Sequence, residues 1–214
     1  MTLLQDDPWN ESAPDVNYQE TLSLFTQAAE TCWYQGEEDN SLALLQTIFK
    51  NAHDAVDRAP GWMIRSRIFA VKGDSSAAFQ ALTECLADLG LSIPEMSWAD
   101  CDKEFHRLRV LLQSTDKNEL MTRPLTTDRT LTTMGSVLVE MASAAFWSSA
   151  LTFYALSLTM LDIHLDRGNY SQAGVGYVHY ASIAVARFGL TAFGLQIGEC
   201  RRRRAIALRW YQRN

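Results

Sequence analysis

An all-α protein, built from antiparallel helical hairpins stacked as a tetratricopeptide-like array, is the fold class this sequence predicts. Three observations carry that prediction. Apolar residues return every three or four positions in segment after segment, which is the period of one helix face. The segments are punctuated by glycines that each have a small residue five positions on: Gly36 with Ser41, Gly73 with Ala78, Gly168 with Ala173 and Gly189 with Gly194. The stretch from Val137 to Gly198 reads as two apolar helices, a Gly168-Asn169-Tyr170 turn, a third helix, a turn at Gly189 and the start of a fourth. A glycine can take the left-handed conformation that stops a helix. A small residue one turn into the next helix then lets the two backbones approach, so that neighbouring hairpins bury one another's apolar faces.

Taken in order, residues 1–17 hold Pro8, Pro14 and several acids without an apolar period and are expected to be a flexible lead-in. The rest, 18–214, is expected to form one helical-repeat domain, or two lobes with a connector near 114–128. Leu22, Phe25, Ala29, Cys32 and Trp33 line one face of a first helix that Gly36 ends. Asn40 or Ser41 is placed to cap a second, with Leu44, Leu45, Ile48, Phe49, Ala52 and Val56 as its stripe. Pro60 and Gly61 are expected to break the chain before a short helix from Trp62 to Val71. Asp74 or Ser75 caps the next, which carries Ala78, Leu82, Cys85, Leu86 and Leu89 and is closed by Gly90. Ser97 starts a more polar helix with Phe105, Leu108, Leu111 and Leu112, and Asp128 caps a helix of about Arg129 to Phe146. Leu151 to Leu165 is apolar nearly all round and should be the most buried helix. Gly174, Gly176 and Ala181 lighten the following helix, as Gly194 and Gly198 lighten the last. About nine or ten helices and no sheet are expected. Phe146, Trp147, Phe153, Tyr154, Met160 and Tyr177 are expected in the core.

With 214 residues, 47% of them hydrophobic and 21% charged, the chain is globular and long enough to bury a continuous core. Its formal charge of −6 argues against broad nucleic-acid binding, which needs a basic face. Acids concentrate between Asp6 and Asp57, whereas the tail holds Arg201, Arg202, Arg203, Arg204, Arg209 and Arg213. Cys32, Cys85, Cys101 and Cys200 are far apart and form no CxxC pair, so buried or free thiols in a reducing, cytoplasmic setting are expected, with no disulfide or metal role. The run from Ala142 to Ile163 carries one charge, Asp162, but six Ser and Thr interrupt it and no basic flank orients it, so buried core helices are expected and no membrane span.

Asp162, His164 and Asp166 have the composition of a metal site but not its geometry, since on a helix the histidine points away from the face the two acids share. His164 and His179 could approach across the Gly168 hairpin, yet they would lack a third ligand. The arginine run has three readings: complement of a helix dipole, basic patch, or nuclear signal. Trp33, Trp62, Trp98 and Trp147 are read as packing residues rather than a ligand cage. No phosphate loop, kinase loop or phospho-acceptor histidine box occurs in the sequence.

From about Asn40 onward the sequence resembles a known family. Its carriers are Asp57-Arg58-Ala59, Ala81-Leu82 through Leu89-Gly90, Ile93-Pro94, Asp116 with Leu120 and Pro124, Met134-Gly135 and Phe146-Trp147. They continue through Ala150-Leu151-Thr152-Phe153-Tyr154, His164 with Arg167-Gly168, and Gly174-Val175-Gly176-Tyr177-Val178-His179 to Phe193-Gly194. The order of these residues is similar to the helical region between the NTPase-like and GAF modules of large fungal and bacterial multidomain hybrid histidine kinases that begin with a serine/threonine-kinase-like domain. The family's catalytic modules have no counterpart here, and after Gly198 the chain reads Glu199-Cys200 and four arginines where the family continues into further helical repeats. The expectation is either a piece of a longer protein or a short gene product that retains this region alone.

The resemblance implies a non-enzymatic scaffold or protein-interaction module of a phosphorelay signalling protein, without cofactor or metal, whose partners are proteins or neighbouring domains. The alternative is a small-molecule sensor that binds between the helices near 174–198. The final helix raises a further expectation: Phe193, Leu195, Ile197, Ile206, Leu208 and Trp210 have no following helix to cover them, so Phe193, the Arg201–Arg204 run and Trp210 are a candidate interaction surface, possible in a homodimer.

Overall fold

The computed structural model describes Trp9 and residues 15–116 and 122–199. Among them there is no strand, and a lone backbone bridge joins Leu125 to Asn169. The helices are α1 (Asp15–Tyr34), α2 (Glu38–Asn51), α3 (Ala55–Val71), α4 (Ser75–Asp88), α5 (Trp98–Ser114), α6 (Arg129–Ser148), α7 (Ala150–Arg167) and α8 (Ala173–Phe188). Residues 191–199 are helical as well. The protein is thus an all-α array of helices packed on their neighbours. No helix of the described residues is long and apolar enough to cross a membrane.

The chain divides into two compact units, Met1–Leu91 and Ser92–Asn214, and the segment 114–128 lies within the second. In the first unit, α1 packs on α2 and α3, and α3 on α4. Leu22, Ala29, Leu45, Ile48, Ile64 and Ile68 form its core. Ser41 is buried there and donates its hydroxyl to the Ala29 carbonyl of α1 at 2.8 Å. That bond corrects the expected cap: α2 begins at Glu38 after Glu37, because the Ser41 hydroxyl is spent across the hairpin.

The expected break at Pro60 and Gly61 is also corrected. Helix α3 begins at Ala55, where Asp54 caps it by accepting the Asp57 N–H at 2.8 Å, and it runs straight through both residues. Pro60 faces solvent, where water can serve the carbonyl its missing N–H leaves unbonded. Gly61 is buried, and a methyl group in its place would stand 3.0 Å from the Phe49 ring of α2. It is a contact glycine rather than a stop.

In the second unit, α7 packs against α5, α6 and α8. Phe105, Leu108, Tyr154, Leu158, Leu161, Tyr177 and Tyr180 fill the space between them. The Tyr180 hydroxyl donates to the Phe105 carbonyl at 2.8 Å, which satisfies the one polar atom this ring carries into the core. Five successive residues, Tyr154 to Leu158, are buried, as expected of the most enclosed helix. The caps foreseen at Asp74, Ser97 and Asp128 are present, and Ser97 forms a reciprocal capping box with Asp100.

Candidate interaction surface

The four punctuating glycines all have positive φ: Gly36 at 78°, Gly73 at 81°, Gly168 at 106° and Gly189 at 64°. Their small partners lie where backbones meet. Ser41, Ala78 and Ala173 are buried, and a side chain at Gly194 would stand 3.0 Å from the Ala181 carbonyl. A side chain at Gly176 would stand 3.2 Å from Met160 on α7. At Gly176 and Gly194 the room opened by glycine is therefore taken up by neighbouring helices.

The turn after α7 is held by side-chain bonds. The Tyr170 hydroxyl donates to the Met160 carbonyl at 2.8 Å, and Asn169 donates its Nδ2 to the Arg123 carbonyl at 2.8 Å. A methyl at Gly135 of α6 would overlap the Tyr170 ring, so this glycine admits the turn against the helix. An open, partly polar cleft of about 450 Å³ beside the turn is lined by residues 123–127 and 166–169.

The residues considered for metal binding serve the packing. Asp162 pairs with Arg107 of α5. His164 is buried, with Nδ1 3.2 Å from the Gly168 carbonyl and its ring edge-on to Tyr177. His179 lies against Phe153, and no group of three or more potential ligands among the described residues could hold a metal ion. Burial pushes the Cys85 thiol up to about 12 and the Cys101 thiol to about 11, so both are inert at neutral pH. Trp62 packs on Phe49, and Trp98 lies under the Arg187 guanidinium, 4.6 Å from its ring centre. Arg187 also forms a forked pair with Asp102, which holds that carboxyl below its ordinary range.

At the end of α6 the core expectation fails. Tyr154, Met160 and Tyr177 are buried and Phe153 is half-buried, but Phe146 is 57% and Trp147 87% exposed. The cause is the joint. Ser149 is the single extended residue between α6 and α7, and it serves both helices. Its N–H closes α6 on the Ala145 carbonyl at 2.8 Å, while its hydroxyl accepts the Thr152 N–H at 3.2 Å to cap α7. So tight a turn leaves Ala145 facing inward and sets the next three side chains outside.

The outward rings continue into an aromatic ladder. Phe146 meets Trp147 edge-on at 5.0 Å and Phe153 edge-on at 5.3 Å, and Phe153 meets His179 at 4.7 Å. No Asp, Glu, Lys or Arg occurs from Met141 to Leu161 or from Ala173 to Ala186. The hydroxyls around the ladder are turned onto their own helices: Ser143 donates to Val139, Ser148 to Ala144 and Ser182 to Val178. Burial would strand none of these three hydroxyls, while the Trp147 indole N–H would take an acceptor from whatever covers it. The signal for it in the sequence was the Ser148-Ser149 pair, which marks a helix boundary directly after two large rings.

The candidate surface at the chain end is divided. Phe193 turns inward, edge-on to Tyr180 and beneath Arg109, and Ile197 is buried, while Leu195 is exposed. The expectation that Phe193 and Ile197 lie uncovered is thereby corrected, because they pack back onto α5 and α8. Arg201, Arg202, Arg203, Arg204 and Trp210 lie outside the described residues. No family model, curated protein or solved structure matches the chain.

Proposed function

We propose that this chain is a non-enzymatic, tetratricopeptide-like scaffold that docks proteins, and that its docking surface is the aromatic end of α6. The observation that carries the reading is the exposure of Phe146 and Trp147 on a hairpin whose other large side chains are packed. An indole standing free on an uncharged face is costly to hydrate and well suited to anchor a partner. The glycine and small-residue pairs at the turns support the array; the phosphorelay setting comes from the sequence resemblance alone, and the cytoplasmic one from the spacing of the cysteines. The sensor reading, with a ligand between the helices near 174–198, gains nothing from Gly176 and Gly194, where helix contacts use the space.

A photo-crosslinking amino acid placed at Trp147 in the intact chain is expected to give covalent protein adducts, and the same probe at exposed Gln113 to give none. Absence of adducts from position 147 overturns the docking surface. Hydrolysis of ATP or autophosphorylation above a heat-killed control would overturn the non-enzymatic reading.

A further inference from the structure

We infer that the cleft beside the Asn169 turn binds a small phosphate monoester that also carries hydroxyl groups, a molecule of the sugar-phosphate class. The site goes beyond the docking surface and shares no residue with it.

One wall of the cleft is the connector 123–127, and the other is the end of α7 with its turn, residues 166–169. Asn169 ties the two together. Its carbonyl accepts the Thr126 N–H at 2.7 Å, and its Nδ2 donates to the Arg123 carbonyl at 2.8 Å. The cleft therefore has its shape before anything enters it, and a ligand need not order its own site.

The charges on the walls exceed what a helix end requires. Arg123 lies with Nη1 3.5 Å from the Leu165 carbonyl, the ordinary service of a basic side chain to a helix C-terminus. Arg167 does something else. Its Nη1 is 3.9 Å from the Met134 sulfur on α6, and it forms no ion pair among the described residues. Two guanidinium groups lining one cleft of about 450 Å³ repel each other, and an oxyanion seated between them removes that repulsion. Hydroxyls add to the donors. Thr127 is exposed, and the Thr126 Oγ1 accepts the Asp128 N–H at 3.0 Å, which leaves its own proton to give. Donors from both walls suit a tetrahedral phosphate, with its three terminal oxygens, better than a planar carboxylate.

The rest of the lining asks for more than phosphate. Asp166 lines the same cleft, forms no ion pair among the described residues, and when ionised can only accept. It repels a bare dianion but takes a hydroxyl. Asn169 is 3% exposed, and its Oδ1 meets no donor among the described residues. A ligand hydroxyl supplies one, directly or through a water. Pro124 and Leu125 give the cleft an exposed apolar edge for the carbon skeleton.

Titration calorimetry of the full chain tests this, with glycerol 3-phosphate, glucose 6-phosphate, inorganic phosphate, glucose and gluconate as probes. At least one of the two esters is expected to saturate the chain at about millimolar concentration or below, inorganic phosphate to bind more weakly, and glucose and gluconate not to saturate. Arg167→Gln is expected to weaken the ester about tenfold or more, as loss of a charge-assisted pair does. Arg65→Gln, on α3 and away from the cleft, is expected to change nothing. Asp166→Asn is expected to tighten inorganic phosphate and to remove the ester's advantage over it. Arg167 and Asp166 are both exposed, so neither substitution disturbs the core. The inference is overturned if neither ester saturates the chain up to about 20 mM, if binding is indifferent to Arg167→Gln, or if gluconate binds as tightly as the esters. It is overturned as well if Asp166→Asn leaves the order of ester and inorganic phosphate unchanged.

Discussion

Helices α6 and α7 meet at a single residue, Ser149, and both are rich in apolar and small side chains, yet one is enclosed along its length and the other ends in solvent. Helix α7 has α5, α6 and α8 around it, so that an apolar residue finds a neighbour in almost any direction. Helix α6 packs chiefly on α7, and beside Gly135 on the Tyr170 turn, so its last turn has one covered side and Ala145 takes it. Burial is thus a property of the neighbours as much as of the residue. Phe146 and Phe153 are the same side chain on either side of the joint, one exposed and one half-buried.

The largest expected effect is on α7. Leu161 is fully buried in the core between α5, α7 and α8, and Leu161→Ala should destabilise the protein by about 2–5 kcal/mol, through lost apolar burial and the cavity left behind. Denaturant unfolding checks this, and a loss under about 1 kcal/mol would mean that α7 is less enclosed than described. On the packed half of α6, Gly135→Ala should cost about 1–3 kcal/mol, because the added methyl overlaps the Tyr170 ring. Helix propensity alone would favour alanine there by roughly 1 kcal/mol, so the sign of the change separates contact from propensity.

How far such differences could be read in advance depends on what kind of information each feature needs. The glycine turns and the caps at Asp74, Ser97 and Asp128 are local, set by a few consecutive residues, and the sequence pattern located them. Pro60-Gly61 has the same local appearance as a turn, but the Asp54 cap starts the helix earlier and the Phe49 ring gives Gly61 a different task. The exposure of Trp147, for which the Ser148-Ser149 boundary is the one sequence hint, and the inward packing of Phe193 do not follow from the apolar period. They depend on whether a helix lies opposite, which the apolar period of a single segment does not record.

The joint itself comes next in size. Ser149→Ala removes the hydroxyl that caps α7 and should cost about 1 kcal/mol, measured as a lowered unfolding midpoint. Smaller again is the tie between Asp102 on α5 and Arg187 on α8. Bonding to Arg187 lowers the Asp102 carboxyl pKa in the folded state. The stability it contributes is therefore present above the unfolded value, about 3.9, and is lost as pH falls through the folded one. Asp102→Asn should be less stable than wild type near pH 7, and the difference should shrink as the pH falls below about 4; a gap independent of pH would show that the charge is not what matters.

The smallest effect is expected where sequence reading placed a core residue. Trp147→Ser removes a large ring, and a buried tryptophan replaced by a small residue would cost about 3–5 kcal/mol. At 87% exposure the ring has little area to lose from contact with its own chain, apart from the edge it shares with Phe146. The change in unfolding free energy, measured at a dilution where the chain is monomeric, should stay within about 0.5 kcal/mol. A ring that does nothing for the fold of its own chain is free to serve a docking surface. If the dilute variant instead unfolds more easily by about 2 kcal/mol or more, as a core ring would, the end of α6 is covered within the monomer, and both the contrast between the two helices and the docking surface drawn from it are wrong.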